Sequence, residues 1–178
     1  DATLTAGQPE FNESGTLFDG IRIWSERKKS LTKEDVKKRA KQTIMKMVGH
    51  GIQHVRSHVD VTDPHLIAAQ ALLELKHDLK DQVDLQLVAF PQEGILSFPH
   101  GKELMEQAVK EGLDVVGGIP HFEFSTEYGW QSVHFLMALA DKYGKLVDVH
   151  CDEIDDPMSR HLEVLATEAY ERQMGDRV

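Results

Sequence analysis

Four segments with strand-like patterning begin near residues 54, 84, 115 and 146, at intervals of 30, 31 and 31 residues. His54-Val55-Arg56-Ser57-His58-Val59-Asp60-Val61 alternates polar and mostly apolar residues, which is the period of a pleated strand. Asp84 to Phe90, Val115 to Ile119 and the run from Leu146 supply the other three. Between them apolar residues recur at helical spacing. Val36, Ala40, Ile44, Met47 and Val48 precede the first strand, and Ala68, Ala71, Leu72 and Leu75 follow it. Further helices are predicted over residues 101–111 and 128–143, and a last one, opening near Pro157, carries Leu162, Leu165, Ala166 and Ala169. Gly51, Gly112 and Gly144 each stand just before a strand, where a glycine in left-handed backbone ends a helix. One strand and one helix per interval is the repeat of a parallel α/β sheet. A doubly wound sheet and a (β/α)8 barrel share this rhythm. Four units cannot close a barrel, which takes about 250 residues. Residues 1–178 are therefore read as one partial barrel domain, about half of a (β/α)8 barrel, with four βα units over 31–178.

The ends of these units carry local signals. Thr32 with Asp35 three residues on marks a helix start, and Thr62 or Asp63 followed by Pro64 marks another. Residues 1–30 read as a long irregular first loop, punctuated by Gly7, Pro9, Asn12, Ser14, Gly15 and Gly20. Arg27-Lys28-Lys29 is expected in a solvated turn, and Trp24, Trp130 and Phe135 in packing.

In a barrel of this type the chemistry lies at the C-terminal ends of the strands. Those ends carry His58 and Asp60, Gln92 and Glu93, His121, and His150, Asp152 and Glu153. Polar groups at the same end of every strand converge on one mouth. Strand alternation places Asp148, His150 and Asp152 on one face and Val147, Val149 and Cys151 on the other. Cys151 is thus expected in the core rather than as a nucleophile. Taken singly, Glu153 reads as a solvated loop carboxylate and Gln92 as a surface amide. His58 and Asp60, with Arg56, are read as a hydrogen-bonded network inside the barrel, beside a metal rather than on it. His121 either lines the mouth or caps a loop.

The net charge of −10 argues against nucleic acid or an anionic membrane as partner. With 40% hydrophobic residues the chain can bury a core, yet no apolar run is long enough to span a bilayer. The lone Cys151 precludes an internal disulfide and a cysteine-rich zinc site, and it suits a reducing, cytoplasmic compartment.

Several segments together resemble the bacterial cytosine deaminases of the amidohydrolase superfamily. They are Val88-Ala89-Phe90-Pro91-Gln92-Glu93-Gly94-Ile95, Ile119-Pro120-His121-Phe122-Glu123 and Asp148-Val149-His150-Cys151-Asp152-Glu153, supported by His54 to Asp60 and Ser14-Gly15-Thr16-Leu17-Phe18. The resemblance runs the length of the chain. It implies a metal-dependent barrel that hydrolyses the exocyclic amine of cytosine, with one divalent ion per site, iron or zinc. It implies His150 as a metal ligand, Glu153 as the proton shuttle between water and the ring, and Gln92 as the partner of the pyrimidine edge. It further implies that the backbone at Leu17 approaches a small-molecule pyrimidine substrate, and that the intact protein is a homo-oligomer. The family's remaining metal ligands have no counterpart in residues 1–178, so the chain is expected to be a piece of a longer barrel, inactive alone. Other amino- or chloro-substituted heterocycles, such as isoguanine or an s-triazine, are the neighbouring substrates. A βα module that binds ligand without turnover is the non-enzymatic alternative.

Overall fold

A computed structural model describes all residues 1–178. Two helices, α1 (Leu17–Lys28) and α2 (Lys33–Gly49), precede the alternating part. There follow β1 (His54–Asp60), α3 (Ile67–Leu79), β2 (Asp84–Phe90), α4 (Gly101–Glu111), β3 (Val115–Gly118), α5 (Thr126–Tyr143), β4 (Leu146–Val149) and α6 (His161–Glu171). The four strands form one sheet in the order β1-β2-β3-β4, and every neighbouring pair is parallel. This is the expected half of a (β/α)8 barrel. No helix is long and apolar enough to cross a membrane.

The two faces of the sheet differ as the alternation requires. Leu85, Leu87 and Ala89 of β2, Val116 of β3 and Val147 of β4 join Leu72, Leu75 and Leu79 of α3 and Leu136 and Met137 of α5 in the main core. Burying such side chains contributes about 1.5–3 kcal/mol each. The packing of α5 on β3 is close: a Cβ at Gly118 would come within 2.5 Å of the Leu136 side chain, which would have to shift. The opposite, inner face carries Arg56, His58, Val88, Phe90, Asp148 and His150. A small second cluster, Ile21, Phe90 and Ile119 with Leu17 and Phe122 against it, covers the C-terminal end of that face.

The structure departs from the sequence reading at several places. α3, expected to open with Thr62 or Asp63 as cap and Pro64 at its first position, starts at Ile67 after Leu66 in left-handed backbone, and Trp130, expected in packing, is 45% exposed. Residues 17–28 are helical, not loop. Thr16 caps α1 by accepting from the Asp19 amide, and Leu17, Ile21, Trp24 and Lys28 then fall on one side. α6 starts at His161 rather than near Pro157. β4 ends at Val149, and Asp152 adopts left-handed backbone with φ 61°. Alternation therefore stops before Asp152, which does not share the face of Asp148 and His150.

Candidate active site

Parallel pairing sets the C-terminal ends of the four strands side by side. On the inner face the rings of His58, Phe90 and His150 pack together, with centroids 5.2 Å apart for His58–Phe90, 4.8 Å for His58–His150 and 4.6 Å for Phe90–His150. Asp148 lies beneath them. It accepts a hydrogen bond of 2.6 Å from the Arg56 guanidinium and pairs with His58 Nε2 at 3.2 Å. Burial pushes the Asp148 carboxyl up, but the hydrogen bonds from Arg56 and His58 outweigh it and hold the group below the usual carboxylate range. Burial, aided by the neighbouring His58, lowers the His150 pKa against the opposing charges of Glu153 and Asp148. A neutral imidazole is the form that ligates metal. His58, Asp148 and His150 each offer one ligand atom, and these atoms lie within 4.8 Å of one another. Two imidazoles and a carboxylate suit zinc or iron.

A cleft of about 510 Å³ is lined by Leu17, Ile21 and Trp24 of α1, by Gln92 after β2 and by Glu153 after β4. Three residues singled out from the sequence thus meet on one surface, although they come from three separate units. Gln92 and Leu17 are half-buried, and Glu153 is exposed at the rim. His150 contributes no wall to the cleft. Its ring packs on Phe90, which also contacts the α1 wall.

The other polar residues of the mouth divide differently from the sequence reading. Asp60 does not join Arg56 and His58; it accepts from Trp24 Nε1 at 2.8 Å, from Lys28 Nζ at 3.0 Å and from Thr62. Lys28, expected in a solvated turn, is nearly buried and bonds Asp60, Thr62 and Glu93 together. The reason is α1: positions 24 and 28 share a helix face, so both side chains reach Asp60. Asp152 caps α6, accepting from Ser159 Oγ and from the His161 and Leu162 amides. Burial works against it, yet these hydrogen bonds hold its carboxyl down at about 2. His121 is 8% exposed and lines a separate cavity of about 160 Å³ with Ser159 and His161. Cys151 is half-buried, and burial pushes its thiol up to about 12, which rules it out as a thiolate nucleophile. Asp148 and Lys28 are the mouth residues that sequence reasoning missed. In the sequence Asp148 reads only as part of a polar face, and the signal for Lys28 is its place one turn after Trp24.

A half barrel with its polar groups at the C-terminal strand ends is the frame of a metal-dependent hydrolase. The amidohydrolase family model matches residues 8–178, and the chain belongs to that family. Among solved structures, 5-methylcytosine deaminase from Klebsiella pneumoniae, liganded with 5-fluorocytosine, is 63% identical at TM-score 0.99, covering 100% of this chain and 43% of that one. Its complex with phosphonocytosine superposes with TM-score 0.98. N-isopropylammelide isopropylaminohydrolase from Burkholderia multivorans is 30% identical at TM-score 0.67, over 74% of this chain and 34% of that one. The curated N-isopropylammelide isopropyl amidohydrolase of Pseudomonas sp. (strain ADP) is 30% identical over 146 residues, 81% of this chain and 35% of that protein. The chain thus spans less than half the length of each of these relatives.

Proposed function

We propose that the protein to which these residues belong hydrolyses the exocyclic amine of a cytosine-type pyrimidine, turning cytosine and water into uracil and ammonia. The observation that carries this reading is the meeting of Gln92, Leu17 and Glu153 on one cleft, at the same end of the sheet as His150. The 63% identity with a 5-methylcytosine deaminase over the whole chain supports the same substrate class and adds 5-methylcytosine to it.

His150 would hold a zinc or iron ion, with the His58–Asp148 pair orienting its surroundings. Such an ion, when bound, lowers the pKa of water toward about 7. The chain's own residues do the rest. Glu153 takes one proton from the attacking water and delivers it to the ring nitrogen, then carries that water's second proton to the departing amine, which leaves as ammonia, the exchange that a carboxylate beside water and base can perform. Gln92 offers one carbonyl acceptor and an NH2 donor, the complement of the O=C–N edge of the pyrimidine. Leu17 lines the same cleft, where its backbone would approach the pyrimidine, and Ile21 and Trp24 supply an apolar wall for the ring. The single cysteine suits a reducing compartment, and we place the enzyme in the cytoplasm.

A second reading, an s-triazine as substrate, has support from the N-isopropylammelide hydrolases at 30% identity. The test is ammonia or amine release from cytosine, 5-methylcytosine and N-isopropylammelide by the full-length protein. Faster turnover of either cytosine is expected. Preference for the triazine would overturn the pyrimidine reading, and no turnover of any would overturn the class.

A further inference from the structure

Gln92 lies beyond the end of β2, in a stretch from 91 to 100 that is neither helix nor strand. A side chain that reads a pyrimidine edge needs a fixed backbone, because hydrogen-bond recognition fails when a donor strays by an ångström. The Gly94 amide donates to Pro91 O at 2.9 Å, closing a turn with Gln92 and Glu93 at its corners. What holds that turn comes from another unit. The Glu123 carboxylate is 8% exposed and faces three successive amides of the loop. Its Oε1 accepts from Ile95 N at 2.6 Å and Leu96 N at 3.2 Å. Its Oε2 accepts from Leu96 N at 3.2 Å, Ser97 N at 2.8 Å and Ser97 Oγ at 2.7 Å. Ser97 Oγ in turn accepts from Phe124 N at 2.8 Å, which ties the loop back to the backbone beside Glu123.

Consecutive amides turned to one side form an anion-binding concavity, and here the anion is built into the chain. Gly94 makes it fit: its φ is +87°, and a Cβ there would come within 2.8 Å of Glu123 Oε2. On the other side of the turn Glu93 is tied to Lys28. Glu123 does not line the cleft of Gln92 and Glu153; it borders the separate cavity of His121.

We propose that Glu123 is a positioning residue for Gln92, setting the loop that presents the amide to the pyrimidine edge. This rests on the substrate-binding role of Gln92 given above. Glu123→Gln keeps the shape but turns an NH2 group against amide donors, so the loop loses its charge-assisted anchor.

The test is a double-mutant cycle in the full-length, metal-loaded protein, with rates normalised to bound metal. Glu123→Gln is expected to raise KM for cytosine about tenfold, the scale of one hydrogen bond to a charged group, while kcat and metal content hold. In the Gln92→Ala background the same substitution should change KM by less than about twofold, since residues acting as one unit are not additive. An equal KM rise in both backgrounds overturns the proposal, as does lost stability or metal with unchanged KM. Wild-type KM in Gln92→Ala alone overturns the role of Gln92, and the inference with it, which is a distinguishable result. Should Glu123→Gln fail to fold, Ser97→Ala, which removes one donor and keeps the amide contacts, takes its place in the cycle with the same outcomes.

Discussion

Glu153 and Cys151 stand two residues apart and illustrate how position rather than residue type decides chemistry. Glu153 is exposed at the cleft, where a carboxylate can meet water and ring together. Glu153→Gln preserves size and removes the exchangeable proton site. Turnover should fall by about 10²–10⁴-fold, the usual contribution of a general acid–base group, with metal content unchanged. Near-normal turnover would remove Glu153 from the proposed mechanism. Cys151 packs against the main core with its thiol pushed up to about 12. In the native protein it should resist iodoacetamide at pH 8 and react fully only in denaturant; rapid native labelling, followed by mass spectrometry, would contradict that burial.

At the scale of elements, losing the bridge from Lys28 and losing the cap from Asp152 differ in cost. The Lys28 and Asp60 side chains are 10% and 3% exposed. Lys28→Met strands two acidic partners, so unfolding should become easier by about 3–5 kcal/mol, the penalty for breaking a buried pair. A thermal melt within a degree or two of wild type would mean that the bridge is dispensable. Asp152→Ala removes the cap of α6 at a smaller cost, about 1 kcal/mol. Its pH dependence has a definite sign. A folded carboxyl held down at about 2 stabilises fully above the ordinary carboxylate range and loses that contribution as pH falls toward 2. The stability gap between wild type and Asp152→Ala should therefore close on acidification, as acid unfolding followed by circular dichroism would show. These elements also mark where the sequence was readable. β2 and α4 match the expected spans of 84–90 and 101–111, because strong alternation or helical spacing is bounded by Gly and Pro. α1 was hidden by Gly15 and Gly20, although Thr16 and the spacing of Leu17, Ile21 and Trp24 were the signal. The direction of Asp152 was not legible, since alternation predicts faces only while a strand continues, and this one stops at Val149.

For the whole molecule the open sheet is decisive. β1 has no strand neighbour but β2, and β4 none but β3; the Val147 amide of β4 donates to Arg177 O, yet neither outer strand has a second ladder, and an open edge invites association. Residues 1–178 expressed alone should self-associate and release no ammonia from cytosine. A monomeric, active product by light scattering and ammonia assay would overturn this expectation. The gathering of polar groups at one mouth was legible, because the 31-residue rhythm puts every strand end on the same side. Which of them pair was not, because Lys28–Asp60 and Arg56–Asp148 join residues that no local pattern relates.

The Lys28 bridge also bears on the order in which the protein folds. Its three bonds span 32, 34 and 65 residues, and long closures carry an entropic cost that only a formed scaffold offsets. The amides of β2 and β3 should therefore gain protection from hydrogen exchange before Trp24 acquires its native fluorescence against Asp60. Pulse-labelling during refolding would reverse this account if the Trp24 signal came first. The cleft would then be a nucleus of folding, whereas the bridge describes a mouth that is drawn together last, on a sheet already made.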